Sequence, residues 1–173
     1  MKHMLLFLSA LGSLASCNDP ANTDNVSAST DDSVAVANSA NTIDLSQFDM
    51  PLIVNVPENG TTPVAVMNAE MGQVEVRAGD HFGIAITEMQ PDFARLKADL
   101  ERDMLLKNTI VRETPGLVLY RSEYPDAAGV FMHFVQVVGS GARTFVVEDL
   151  RNGRFNESDA KAMLLAVTAK SAS

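Results

Sequence analysis

The chain holds a single cysteine, Cys17, and it closes a short apolar run near the N-terminus. That placement decides how much of the chain is left to fold. Lys2 and His3 precede Met4 to Ala15, a mostly apolar stretch interrupted only by Ser9, Gly12 and Ser13. A helix needs about 20 apolar residues to cross a hydrocarbon core, so this run falls short. It has the charged start and the length of the apolar region of a secretory signal. With no second cysteine, whatever folds beyond it holds together by its core, without a disulfide.

Leu14-Ala15-Ser16-Cys17 resembles the lipobox of bacterial lipoproteins, with an aliphatic residue, two small residues and the cysteine in order. The resemblance implies that residues 1–16 are a signal peptide and that Cys17 carries lipid as the mature N-terminus. The alternative is ordinary cleavage after Ser13-Leu14-Ala15, which leaves Cys17 as a lone thiol. Lipid accounts for that cysteine. Each buried CH2 of an acyl chain adds about 0.8 kcal/mol, so several chains anchor stably. The implied address is the cell envelope, with the domain in the periplasm or at the cell surface. Asn18 rather than Asp follows the cysteine, which favours the outer membrane over the inner.

Loss of Lys2 with the signal takes the formal charge from −9 to −10. So acidic a chain is repelled by nucleic acid and by anionic head groups, and nucleic acid is excluded as a partner. Lipid, not a basic patch, is what holds it at a membrane. Residues 17–47 read as a disordered tether. Asn, Asp, Ser, Thr and Ala dominate, and Val26, Val34, Val36, Ile43 and Leu45 are isolated. Thirty flexible residues span about 30 Å, enough to stand a domain off a bilayer.

Residues 48–170 form the globular domain. Leu52 to Val56 is a β-rich run closed by the turn Pro57-Glu58-Asn59-Gly60. Val64 and Val66, then Val74 and Val76, then Ile84 and Ile86, alternate as strands do. Phe93, Leu96, Leu100 and Met104 fall on one helical stripe behind Pro91. Strands follow from Ile110, over Leu117 to Tyr120, over Val130 to Val138, the central one, and over Phe145 to Val147, the last. Asn156 caps a C-terminal helix with Asp159 three places on, and Ala160, Met163, Leu164 and Val167 form its inner stripe. This order predicts an α+β fold: an antiparallel sheet packed with a mid-chain helix and a C-terminal helix.

The run Val54-Asn55-Val56-Pro57-Glu58-Asn59, the single mid-chain helix and the closing helix resemble the PsbP-like fold, over about Met50 to Ala169. That superfamily is largely non-catalytic, so the resemblance implies a binding or accessory module. It transfers no site residue.

Chemistry is sparse. His81 sits beside a turn, and His133 alternates with Phe131 and Val135 on a strand; neither has a metal-ligand spacing, so no metal or cofactor is expected. His133 reads first as a core or sheet-surface histidine and second as a general base. Ser140 lies in Gly-Ser-Gly, a turn and not a nucleophile elbow. Glu148 and Asp149 are adjacent on a strand, which points them to opposite faces. The loop Glu123-Tyr124-Pro125-Asp126 offers Tyr124 and Asp126 as a partner contact. The functional expectation is a lipid-anchored, non-catalytic module that binds a protein partner or joins an envelope complex. The alternatives are a small-molecule or lipid carrier, or a small envelope enzyme using His133 or His81.

Overall fold

The computed structural model describes residues 34–36, 41–125 and 129–171. In chain order the elements are β1 (Val34–Val36), β2 (Thr42–Asp44), β3 (Leu52–Asn55), β4 (Val64–Asn68), β5 (Gln73–Arg77) and β6 (Gly83–Glu88). Then come α1 (Phe93–Arg102), β7 (Lys107–Thr114), β8 (Leu117–Glu123), β9 (Val130–Ser140), β10 (Arg143–Asp149), α2 (Glu157–Leu164) and β11 (Val167–Ala169). A 3-10 turn over Leu45–Phe48 links β2 to β3, capped by the Asp44 side chain. The chain is mixed α+β and dominated by sheet.

One sheet has the order β1-β4-β5-β6-β10-β9-β8-β7, and every pairing in it is antiparallel. The second sheet is β11-β3-β2, also antiparallel. Alternation explains the layering. One face of the large sheet presents Val74, Val76, Ile84, Ile86, Phe134, Phe145 and Val147, all fully buried. These pack in one cluster with Ile43, Leu45, Leu52 and Val54 of the small sheet, and with Ala160 and Met163 of α2. The main core therefore lies between the two sheets, and α2 closes it. The capping box expected of Asn156 and Asp159 is present.

The opposite face of the large sheet is set by register. Val118, Val135, Glu148, Ala85 and Glu75 lie in one cross-strand row, and Tyr120 and His133 are directly opposed in another. Val118 is fully buried here yet stands outside the main cluster. It belongs to a second, thinner apolar layer.

Four expectations need correction. The fold begins ahead of residue 48. Ile43 and Leu45, assigned to the tether, are fully buried, and β2 pairs with β3. Each is an isolated apolar residue, and its burial depends on a strand met later in the chain. β1 likewise lies inside the tether range, paired with β4. The remainder of residues 17–40 lies outside the described residues. β10 is not the last strand, since Val167 leaves the helix and opens β11. β9 is interior, but the middle of the sheet is β6 and β10. Met104 is 95% exposed because α1 stops at Arg102 and Asp103 starts a new turn by accepting the Leu105 and Leu106 N–H groups.

Candidate functional site

The chemistry-bearing groups gather where β10 leaves the sheet. The register between β9 and β10 ends at Val135 and Glu148. One step further, the Asp149 side chain takes over from the backbone. Its Oδ1 accepts the Phe134 N–H at 2.8 Å, and its Oδ2 lies 2.7 Å from His133 Nδ1. Asp149 is 5% exposed and the His133 side chain 17%. The imidazole is held on its other side by Tyr120, ring centroids 5.2 Å apart and planes 30° apart.

A cleft of about 240 Å³ opens above these residues. Its floor includes Tyr120, His133, Val135 and Glu148, and Leu96, Leu100 and Leu106 line it from α1 and the turn after it. Local chemistry positions that roof. Asp92 accepts the Arg95 N–H at 2.9 Å and starts the helix. Lys97 meets Glu113 of β7 at 2.8 Å, and Asn108 donates to the Leu100 carbonyl at 3.2 Å. No residue of α1 is fully buried, so the helix rests on the sheet without being locked into it.

Burial is the main force on Glu148 and Tyr120. It pushes the Glu148 carboxyl up, with Arg151 offsetting part of the effect. It also pushes the Tyr120 phenol up, helped by the Asp149 and Glu148 charges, so the hydroxyl stays protonated. Among the described residues, none donates to or accepts from Tyr120 Oη, His133 Nε2 or the Glu148 carboxylate. Three polar groups with free hydrogen-bonding capacity thus line one leucine-roofed cleft. An apolar pocket with a few convergent polar groups is the general form of a small-molecule site.

The arrangement can bind, and its oriented imidazole can accept a proton at Nε2. Nucleophilic catalysis has less to work with. Ser122 lines the cleft, but its Oγ donates to Asn108 Oδ1 at 2.6 Å. Among the described residues, no group of three His, Cys, Asp or Glu is placed to hold a metal ion.

The other residues singled out in the sequence fall elsewhere. His81 is 72% exposed, 3.3 Å from Asp159 Oδ2, an oxygen that also accepts the Asn156 N–H. This is a surface contact at a helix cap. Ser140 Oγ donates to the Pro51 carbonyl and ties the β9 end to the residue that precedes β3. Tyr124 is exposed and meets Phe131 edge-on at 6.3 Å, with Arg154 over the other ring at 5.7 Å. Asp126 and Cys17 lie outside the described residues. Glu148 and Asp149 line the same cleft, contrary to simple alternation, because Asp149 is the last residue of its strand. Sequence reasoning missed Tyr120 and Asp149. A count across the turn at Gly141 would have found Asp149: Ser140 opposite Arg143 leads step by step to Phe134 opposite Asp149.

No family model matches the chain, and neither does any curated protein or solved structure.

Proposed function

We propose that this is a lipid-anchored protein of the bacterial envelope, held at Cys17, whose α+β domain is a binding module with its ligand site beneath α1. The observation that supports the site is the set of polar groups without described partners, Tyr120 Oη, His133 Nε2 and Glu148, under the leucines of α1. What supports the anchor is the sequence alone: the lipobox-like Leu14-Ala15-Ser16-Cys17 and its single cysteine. The PsbP-like resemblance agrees with a module that binds rather than catalyses.

Two measurements test this reading. Intact mass of the protein from its native membrane should show a species beginning at Cys17 with acyl mass, lost in Cys17→Ser. A species beginning at Ser16 without acyl mass removes the anchor. For the cleft, native mass spectrometry of protein purified from its own envelope should show a small adduct, lost in Leu100→Trp, which fills the space. Adduct-free protein with an unperturbed cleft in every preparation removes the ligand site.

A protein partner is the second reading, and a separate observation favours it. Among the described residues β7 is an edge strand, and Met104, Leu105, Ile110 and Val111 are exposed along it and the turn before it. A run of unpaired edge and apolar side chains suits an added strand from a partner. Cross-linking in intact cells from a photoreactive residue at Val111 should capture one defined protein; capture of bulk envelope proteins alone removes this reading.

A further inference from the structure

The donor and acceptor pattern of the cleft constrains what it binds, given that it is a ligand site. Both oxygens of Asp149 face hydrogen-bond donors, the Phe134 N–H and His133 Nδ1. A carboxylate only accepts, so the pairing assigns the imidazole proton to Nδ1. With no second proton on the ring, Nε2 is a bare acceptor, and it has no partner among the described residues. It waits for an O–H or N–H donor.

The rest of the lining narrows the class. Leu96, Leu100 and Leu106 give an aliphatic wall. The charged groups are Asp103, Glu148 and Asp149 against the single guanidinium of Arg151, so the local field opposes anions. At about 240 Å³ the space is below the roughly 300 Å³ at which drug-sized pockets begin, so the occupant is small.

We infer that the cleft binds a small non-anionic amphiphile, an alcohol or an amine, that donates a hydrogen bond to His133 Nε2 and lays its hydrocarbon body against the leucines of α1. Tyr120, whose ring lies 5.2 Å from that of His133 and lines the same cleft, offers its hydroxyl as a second polar contact. An anion of the same shape meets Glu148 and is rejected.

The test uses the full chain carrying Cys17→Ser, purified without detergent, with nitrogen-labelled histidine rings and labelled leucine methyls. The probes are cyclohexanol, cyclohexylamine and cyclohexanecarboxylate, matched in size and different in charge. The alcohol and the amine should shift the His133 Nε2 resonance and the methyls of Leu96, Leu100 and Leu106 together and saturably. The carboxylate should bind at least tenfold more weakly. Tyr120→Phe removes only a hydroxyl and should weaken the alcohol severalfold. Equal binding of the carboxylate, or methyl shifts without a change at Nε2, overturns the inference while the cleft stands as a site. If none of the three probes moves the methyls, the ligand site itself falls.

Discussion

Removing the Asp149 carboxylate should cost this domain a large part of its stability. Asp149 carries two charge-assisted hydrogen bonds at once, to the Phe134 N–H at 2.8 Å and to His133 Nδ1 at 2.7 Å. Hydrogen bonds to a charged group contribute roughly 1.5–3 kcal/mol each. The two are not equal. Phe134 is fully buried, so in Asp149→Ala its N–H has no acceptor and no water, and about 2 kcal/mol is lost there. The imidazole is 17% exposed, so water recovers part of its bond and the loss is about 1–2 kcal/mol. The sum is about 3–4 kcal/mol, against a typical total of about 5–15 kcal/mol for a folded domain.

Urea unfolding is the assay. The midpoint should fall with the slope unchanged, and the melting temperature should drop by about 10 °C. Asp149→Asn separates the two bonds, because its oxygen still accepts the Phe134 N–H while its amide turns a donor toward the ring. That variant should lose only about 1–2 kcal/mol. The control is Glu148→Ala, the adjacent carboxylate without a described partner. If Asp149→Ala costs no more than Glu148→Ala, the reasoning that the ladder closes on a side chain is refuted.

Glu148→Gln should stabilise the domain at pH 7. Burial raises the folded-state pKa of Glu148, so ionisation opposes folding; its contribution is complete below the unfolded pKa and is lost as pH rises through the folded one. Paired urea midpoints should therefore differ at pH 7 and converge below about pH 4; a variant less stable at pH 7 counts against the burial argument. Lys170 and Ser46 lower the Asp44 carboxyl to about 2, so this ion pair supports stability above pH 4 and loses its effect between about 4 and 2. Lys170→Met should flatten the acid limb of a pH titration of stability in that window, and superimposable limbs would dismiss the pair. Gly83→Ala should cost about 1–3 kcal/mol by overpacking. Its Cβ would sit 2.8 Å from Leu150 Cδ1 and 3.1 Å from Phe155, while the Gly83 carbonyl is fixed by the Leu150 N–H; a neutral melting curve would show that this corner has slack.

The parts of this fold legible in the sequence are those whose signal is local. Alternation in β3 and β5 is a property of a few adjacent residues, and their burial follows it. Leu96 and Leu100 face the sheet from α1 because a helical period repeats within one element. Where pairing across the chain decides, local signals are silent. β2 reads as tether because Thr42, Asp44 and Ser46 surround its apolar residues; only β3, ten residues on, gives Ile43 something to bury against. β11 is three residues long and emerges straight from a helix, so its inner Val167 reads as one more helical position.

The His133–Asp149 pair is the sharper case, because a correct local rule gave the wrong answer. Side chains do alternate along β10, and Glu148 and Asp149 would diverge in a strand that continued. The strand stops at Asp149. Freed from the next ladder position, the carboxylate bends to the Phe134 N–H, which the backbone of β10 no longer serves, and its second oxygen meets the neighbouring imidazole. The same termination that leaves an amide without a partner thus orients a histidine. The polar floor of the cleft follows from where one strand ends, and a strand's end depends on tertiary pairing that period and composition do not encode.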